Sequence, residues 1–244
     1  MSIKTFPITL QNAFMLSPKT KHFIFQCNQT PAFNYLPGQF ITIHFEHNGK
    51  MLRRSYSIAN VPSQNNTIEL AAGFVDGGPA TTLLYNLKPG DTLQASGPYG
   101  RLTLKEEQPK RYIFIATSTG ITPYRAMVAE LIRRMENQAD LQIVILQGVQ
   151  YRNEVLYLDE WTALVEQYPQ VTFRACLSRE DKSTLSLIES TGYVQQSFPD
   201  LNLNPEQDMV YLCGNPAMID DAFLQLKEMG FATQHVIREK YISN

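Results

Sequence analysis

Several short segments of the sequence combine residue types that bind phosphates and aromatic rings. Arg54-Ser55-Tyr56-Ser57 supplies a cation, an aromatic ring and hydroxyls within four residues. In a β-strand, alternation places Arg54 and Tyr56 on one face and Ser57 on the other. A flavin needs an aromatic face for stacking, a cation for its phosphates and a hydrogen-bonding group near N5. The alternative is a surface arginine beside a core tyrosine on an ordinary strand.

Two turns that open predicted helices carry glycine and hydroxyl residues. A helix that starts after Gly78, with Thr81 in its first turn, leaves free N–H groups and the positive end of its dipole for a pyrophosphate. The segment 117–123, TSTGITP, follows an apolar strand, and Thr122 is predicted to cap the next helix with Pro123 at its first position. This segment is not G-x-G-x-x-G, so the common dinucleotide fingerprint does not apply. Each turn could instead open an ordinary capped helix.

Further candidate residues follow later strands. Cys213-Gly214-Asn215 ends a predicted strand just before a helix, and its cysteine either belongs to a site or is a small buried apolar residue. Ser178-Arg179 ends another strand, and Tyr193 follows it along the chain. An arginine fork with hydroxyls suits a phosphate dianion, and a flat ring suits an adenine. The alternative is a solvated arginine at a strand end.

The N-terminal part of the chain has the pattern of short strands and turns. Runs rich in β-branched and aromatic residues are separated by turn signals, of which Asn48-Gly49 is typical of a two-residue type I′ hairpin. Short strands at this spacing predict a closed or nearly closed antiparallel barrel. The strands are predicted at 21–28, 39–46, 51–59, 67–75 and 92–97, with one helix at 79–87.

After Pro109 the pattern changes to apolar strands that alternate with amphipathic helices, which indicates a parallel sheet with helices on both faces. Ligands bind to such sheets at the carboxyl ends of the strands. We therefore predict two domains, an N-terminal antiparallel β-barrel at 1–106 and a C-terminal α/β parallel-sheet nucleotide-binding domain at 107–244. The strands of the second domain are predicted at 112–117, 141–149, 171–179, 208–215 and 234–241, and its helices at 123–137, 154–168 and 216–229.

Composition excludes several classes of protein. The net charge of −2 and the pI of about 6.1 argue against a nucleic-acid binder. The three cysteines form no C-x-x-C pair, which argues against a disulfide framework, a zinc site and a four-cysteine iron–sulfur cluster. No run approaches the roughly 18 apolar residues of a membrane span, and the N-terminus has no signal-peptide pattern. We therefore expect a cytoplasmic protein without a membrane span, and a monomer.

Together, the motifs resemble those of the ferredoxin–NADP reductase family in order and spacing. The family patterns are R-x-Y-[ST], G-x-x-[ST]-x-x-L, G-P-x-G (97–100 here), G-[TG]-G-I-[TA]-P and C-G-x-x-x-M. The resemblance implies that Arg54 pairs with a cofactor phosphate, that Tyr56 packs on the isoalloxazine and that Ser57 approaches N5. It also implies that Gly78 and Thr81 meet the pyrophosphate, and that the flavin is FAD rather than FMN.

The same resemblance assigns residues to the nicotinamide coenzyme. Cys213 would lie beside the nicotinamide, where it orients the ring without covalent chemistry. Thr117 and Ser118 stand where the family often has glycines, and no lysine accompanies Tyr193 as in plant-type members. The remaining implied contacts are Thr117, Gly120, Thr122, Gly214 and Asn215 for the dinucleotide, and Ser178, Arg179 and Tyr193 for the extra phosphate and adenine of NADP(H).

The C-terminal segment resembles the E-x-Y ending of plant-type members. Glu239 would then lie near the active centre, and Tyr241 would cover the second face of the flavin. In this chain three residues follow Tyr241. The alternative is an edge strand with exposed polar residues.

The family implies an enzyme that transfers a hydride between NADPH and FAD, and electrons between FAD and a carrier such as ferredoxin or flavodoxin, in either direction. Because such carriers are acidic, we expect a basic patch, with Arg53, Arg54 and Arg101 as candidates. Two alternatives are an NAD(P)H:flavin reductase and the reductase component of an oxygenase. A third, from another class, is a non-catalytic flavin-binding electron-transfer subunit.

Overall fold

The computed structural model describes residues 3–28, 32–62 and 65–241. By its contacts the chain divides into two compact units. The first runs to Leu104 and also takes in Thr122–Ala129. The second comprises Lys105–Ile121 and the residues from Glu130 onward.

The first unit is an antiparallel sheet of six strands, which confirms the predicted barrel class. The elements are β1 (Phe6–Ser17), β2 (Thr20–Cys27), β3 (Phe40–His47), β4 (Lys50–Ser57), β5 (Thr67–Gly73), α1 (Pro79–Asn86) and β6 (Thr92–Tyr99). Strand order is β4-β3-β6-β1-β2-β5. An isolated antiparallel bridge between Ile58 and Leu70 joins the ends of the sheet beyond β4 and within β5, so the barrel is nearly closed.

Local sequence explains most of this unit. Asn48 and Gly49 both have positive φ, at 52° and 71°, and His47 pairs with Lys50 across them, as the two-residue hairpin prediction requires. β1 was not predicted because its alternation is interrupted. Its pairing with β2 shifts register between Leu10 and Asn12, which breaks the two-residue period of buried positions.

The second unit is a parallel sheet, as predicted, but it has six strands rather than the five that the sequence predicts. Its strands are β7 (Arg111–Thr117), β8 (Gln142–Val149), β9 (Val171–Leu177), β10 (Glu189–Thr191), β11 (Asp208–Gly214) and β12 (Val236–Lys240). Strand order is β10-β9-β8-β7-β11-β12, and every pairing is parallel. The helices associated with these strands along the chain are α2 (Thr122–Asn137), α3 (Leu158–Gln167), α4 (Phe198–Leu201) and α5 (Pro216–Glu228).

Apolar side chains cover both faces of this parallel sheet. On one face, Ile219 and Leu226 of α5 share a buried cluster with Cys176 of β9. On the other, Trp161 of α3 stacks on Phe173 of β9, with ring centroids 5.9 Å apart. Since Phe173 and Cys176 differ in parity along one strand, the two helices pack on opposite faces.

Three local predictions were wrong. Thr122 does not cap α2: the cap position is Ile121, and Thr122 is the first helical residue. The helix predicted at 154–168 begins only at Leu158, because Tyr157 adopts a left-handed conformation with φ of 59°. The last strand is shorter than expected, since a 3₁₀ turn occupies Thr233–His235.

Three further observations concern the cysteines, metal-binding clusters and membrane-spanning helices. The cysteines Cys27, Cys176 and Cys213 are free and buried. Within the described parts of the chain, no three histidine, cysteine or acidic side chains are arranged to hold a metal ion. None of the helices among the described residues is both long enough and apolar enough to cross a bilayer.

Candidate functional site

The RSYS segment forms the end of β4, at one edge of the antiparallel sheet. Arg54 pairs with Ile43 and Tyr56 with Ile41 on β3. Arg54 and Tyr56 are both half-buried. Arg53, which precedes them, and Ser55, which lies between them, are exposed. Alternation therefore puts the cation and the aromatic ring on one face, as the sequence predicts.

Burial sets the ionisation of the tyrosine on this face. It raises the pKa of Tyr56 to about 12, an effect that the nearby charge of Arg54 partly opposes. The phenol is therefore neutral at physiological pH. A neutral ring beside a guanidinium offers a stacking surface and a phosphate partner at one strand end.

Ser57 closes β4 and points the other way. Its side chain is buried, with 5% of its surface exposed, and the residue pairs with Phe40 on β3. The next amide, of Ile58, donates to the carbonyl of Gln39 at 3.0 Å. The end of β4 is thus fixed by pairing with β3 and by this backbone hydrogen bond just beyond Ser57.

The second motif of this unit forms the turn before α1. Gly78 occupies the N-cap position of the helix. The Thr81 hydroxyl bonds inside the turn, donating to the carbonyl of Val75 or Gly78 at 3.1 and 3.2 Å and accepting from the Val75 N–H at 3.2 Å. Thr81 therefore shapes the turn, and Gly77 beside it lines a cavity of about 430 Å³.

In the second unit, the TSTG and CGN segments meet at the carboxyl ends of neighbouring strands β7 and β11. A Cβ on Gly120 would lie 2.7 Å from the carbonyl carbon of Cys213, and one on Gly214 would lie 2.8 Å from the carbonyl oxygen of Thr117. Gly214 also has a φ of 122°. Side chains at these two positions would force the strand ends apart, so both glycines are required for this close approach.

Hydroxyl and amide groups complete this junction. The Thr117 hydroxyl accepts a hydrogen bond of 2.8 Å from the Asn215 N–H, and the Asn215 side chain caps α5 by accepting from the Ala217 N–H. Two residues beyond Gly120, Thr122 is 1% exposed, and its Oγ1 finds no hydrogen-bond partner among the described residues. A buried hydroxyl without a partner costs free energy.

Cys213 is the buried centre of a small cluster. It pairs in register with Glu239 on β12, and the N–H of Tyr241 donates to the Gly214 carbonyl at 2.8 Å. Burial raises the pKa of the Cys213 thiol well above its usual range; the negative charge of Glu239 raises it further, and a hydrogen bond with the Tyr241 side chain opposes both. The thiol therefore stays protonated and is no nucleophile near neutral pH.

The residues predicted for an extra phosphate lie at the same carboxyl edge, after β9 and β10. Ser178 and Arg179 donate their N–H groups to the carbonyls of Val149 and Gln150 at 3.0 and 2.9 Å. Gly192, just before Tyr193, donates to Leu177 at 3.0 Å, which brings the two segments side by side. Arg179 is exposed, and Tyr193 is 64% exposed.

Sequence reasoning missed one residue that shapes the loop after β7. Gln147 on β8 is fully buried, donates to the Ser118 carbonyl at 3.3 Å and accepts from the Leu156 N–H at 3.2 Å. Ser118 itself takes a positive φ of 48°, in a segment where the family often has glycines. The available signal was an amide side chain, one of two glutamines, within the otherwise apolar segment LQIVILQGV.

The candidate basic residues lie in the first unit. Arg53 and Arg101 are exposed, whereas Arg54 is half-buried and donates to the Arg53 carbonyl at 2.8 Å. Of these three candidates, Arg53 and Arg101 are thus the ones whose side chains face solvent.

Comparisons with known proteins agree with this architecture. The model of the oxidoreductase FAD-binding domain family matches residues 7–104, and that of the oxidoreductase NAD-binding domain family matches residues 114–223. Ferredoxin–NADP reductase B of Sorangium cellulosum is 31% identical over 233 residues, which cover 93% of each chain. The phenol hydroxylase P5 protein of Acinetobacter pittii is 30% identical over 93% of this chain but only 63% of its own length.

A solved structure shares the fold. The ferredoxin NADP+ reductase from Neisseria gonorrhoeae, determined with bound FAD and NADP, superposes with a TM-score of 0.85 at 21% identity, over 99% of this chain and 100% of that one. The fold and the matched domain families define an oxidoreductase flavoenzyme that uses FAD and a nicotinamide dinucleotide for electron transfer. Within that class, the chain belongs to the ferredoxin–NADP reductase family.

Proposed function

We propose that this chain transfers a hydride between NADPH and FAD, and electrons between FAD and a small acidic carrier of the ferredoxin or flavodoxin kind. The observation that carries the proposal is the junction of β7 and β11, where two obligatory glycines bring a buried, protonated thiol to the strand ends. Ligands bind at this edge of parallel sheets. When bound, the two cofactors supply the redox chemistry, while the chain supplies position and electrostatics.

The flavin motif fits FAD on the chemistry of its side chains. Arg54 would neutralise a phosphate, and the neutral ring of Tyr56 would stack on the isoalloxazine, because the two share one face of β4. Gly78 would bring its backbone to the pyrophosphate, and Thr81 would hold the turn that does so. Ser57, buried at the end of β4, would fix the backbone near N5.

The second unit fits a pyridine dinucleotide. Gly120 and Gly214 let the ends of β7 and β11 approach each other closely. Just after this junction, at the start of α2, the Thr122 hydroxyl has no partner among the described residues and would gain a hydrogen bond from the dinucleotide. Thr117 and Asn215 would hold the strand ends in place. Cys213 would orient the nicotinamide by contact, with Glu239 and Tyr241 beside it. The hydrogen bond between Tyr241 and Cys213 supports a position of Tyr241 near the nicotinamide, in addition to the role as a flavin cover that the family implies.

We propose NADP(H) rather than NAD(H) because Arg179, Ser178 and Tyr193 gather at one edge. An anaerobic titration with each coenzyme, followed at the oxidised flavin band, tests this choice. We expect NADPH to reduce the flavin at far lower concentration than NADH, and Arg179→Met to remove most of that difference. Arg174→Met is the matched control, because Arg174 lies earlier on β9 and faces Asp200 at 3.7 Å.

Two results would contradict the proposal. Equal reduction by NADH and NADPH in the unmodified protein would remove the NADP preference. A protein that shows no flavin spectrum after FAD is added would remove the flavoenzyme itself.

The exposed cations Arg53 and Arg101 support an acidic protein carrier as the electron partner. We expect Arg53→Glu and Arg101→Glu to slow reoxidation of the reduced enzyme by ferredoxin or flavodoxin by roughly tenfold at low salt, since rim charges change mainly the association rate. Lys88→Glu, an exposed cation of the same unit, is the control. Reoxidation that depends on neither salt nor these charges would refute the docking role.

A second candidate function is the reductase component of an oxygenase, or a reductase of free flavin. The 30% identity to the phenol hydroxylase P5 protein supports it, although the chain spans 63% of that relative. Rapid reduction of free FMN, together with slow electron transfer to ferredoxin and flavodoxin, would favour this candidate over the first.

We also propose that the chain works in the cytoplasm as a monomer. The three free, buried thiols support a reducing compartment. Cell fractionation and analytical ultracentrifugation test the two parts separately, and a stable dimer at assay concentrations would refute the second.

A further inference from the structure

We propose that Arg152 is a positioning residue for coenzyme selection: it fixes the segment that carries Arg179 and thereby sets the preference for a dinucleotide with a 2′-phosphate. This inference rests on the proposed NADP(H) function. Arg152 follows β8 and belongs to none of the motifs that the sequence singled out.

The Arg152 side chain binds one carboxylate with both arms of its fork. Nε donates to Glu189 Oε1 at 2.6 Å, and Nη2 donates to Glu189 Oε2 at 2.9 Å. Nη2 also donates to the carbonyl of Thr184 at 2.7 Å. One guanidinium therefore joins the start of β10 to the middle of the preceding loop.

The main chain of Arg152 reaches the same loop at its other end. Its N–H donates to Glu180 Oε2 at 2.9 Å, and Glu180 directly follows Arg179. On the other side, the N–H of Arg179 donates to the carbonyl of Gln150. Arg179 is thus held between two contacts with the residues around Arg152.

The two partners of this ion pair differ in exposure. Only 6% of the Glu189 side chain is exposed, against 42% for Arg152. The hydrogen bonds from Arg152 hold the pKa of Glu189 at about 2, so the carboxylate remains charged throughout the neutral range. Loss of Arg152 would leave a carboxylate of low exposure whose remaining hydrogen bonds, among the described residues, come from Ser186, including its N–H at 2.7 Å.

The loop has little else to order it. Asp181, Lys182, Ser183, Thr184, Ser186 and Leu187 are exposed. Other side-chain hydrogen bonds within 180–188 are local among the described residues, such as the Asp181 contacts with Ser183 at 2.8 Å. Without Arg152 the loop would sample more conformations, and a ligand that needs Arg179 would bear the cost of ordering it.

The expected effect is selective. Immobilising one flexible side chain on binding changes affinity by roughly two- to tenfold. Arg152→Met and Glu189→Gln should therefore weaken binding of 2′,5′-ADP by that factor and leave binding of 5′-ADP within a factor of two. In turnover, KM for NADPH should rise, and kcat and the parameters for NADH should stay close to their original values.

Calorimetry with the FAD-loaded protein tests the inference, with 2′,5′-ADP and 5′-ADP as probes. Arg174→Met is the control and should change neither affinity. The double variant Arg152→Met/Glu189→Gln should bind 2′,5′-ADP no more weakly than Arg152→Met alone, because both substitutions break the same contact. Hydrogen exchange of the 180–188 amides should be faster in each variant.

The outcomes separate the two proposals. If the unmodified protein does not prefer 2′,5′-ADP, the NADP(H) proposal itself fails. If it does and Arg179→Met removes the preference, but Glu189→Gln changes nothing, the positioning role of Arg152 is refuted. Equal losses for both probes would also refute it, since they would indicate a general structural role.

Discussion

Replacement of Thr122 by valine distinguishes two effects of its buried hydroxyl, namely its free-energy cost in the protein without coenzyme and its contribution to coenzyme binding. Valine has nearly the same shape as threonine and similar helix propensity, but it removes the hydroxyl. Thr122 is 1% exposed, and its Oγ1 has no partner among the described residues. The substitution therefore removes an unsatisfied buried group without opening a cavity.

Both expected effects follow from that hydroxyl. A buried polar group without a partner costs about 1–3 kcal/mol, so the apo protein should gain stability, with an unfolding midpoint higher by a few degrees. If the coenzyme supplies the missing partner, the same change leaves a ligand group unpaired. The affinity for NADPH should then fall by roughly 5- to 150-fold.

Two measurements on the same preparation test whether the coenzyme contacts the Thr122 hydroxyl. They are thermal unfolding without coenzyme and NADPH binding under anaerobic conditions. Thr81→Val is the contrasting variant, because the Thr81 hydroxyl accepts from the Val75 N–H and donates to a carbonyl of its turn, so its loss should destabilise the protein. A Thr122→Val protein that is less stable, or that binds NADPH as tightly as before, would refute the assignment.

The other predictions concern the strand junction, the buried thiol and acid stability. Gly120→Ala should slow flavin reduction by NADPH about a hundredfold, since a displacement of the strand ends by about 1 Å is enough to reduce a rate by that factor. Gly73→Ala is the control, because its Cβ would meet nothing closer than 3.9 Å. Equal stopped-flow reduction rates for the two variants would contradict the claim that Gly120 is required for the close approach. Cys213, fully buried and protonated, should resist iodoacetamide at pH 7.5 in the folded protein, which mass spectrometry would test; rapid labelling would refute its burial. Hydrogen bonds from Arg133 and Arg134 lower the pKa of Glu130 to about 2. The charged carboxylate therefore stabilises the folded protein above the ordinary glutamate pKa of about 4.3, and this contribution is lost as the pH falls towards 2. Glu130→Gln should make the unfolding midpoint fall less steeply between these two pH values.

Local pattern was sufficient for most elements of the fold. Alternating and apolar runs predicted the strands, and Asn48-Gly49 predicted its hairpin, because these features depend on residues close together in the chain. The same locality explains the failures. Tyr157 takes a left-handed conformation inside an apparently helical pattern, and the register shift in β1 interrupts its period.

The sequence by itself also determined which residue types and turns are available for cofactors, since each motif is a short local unit. Only the tertiary structure decided how they combine. It sets the end of β7 against that of β11, so Gly120 meets Cys213, and it places Glu239 opposite the thiol. It also ties Arg152 to Glu189, residues that no local pattern connects. These contacts depend on strand order and register, which arise from burial across the whole sheet rather than from neighbouring residues.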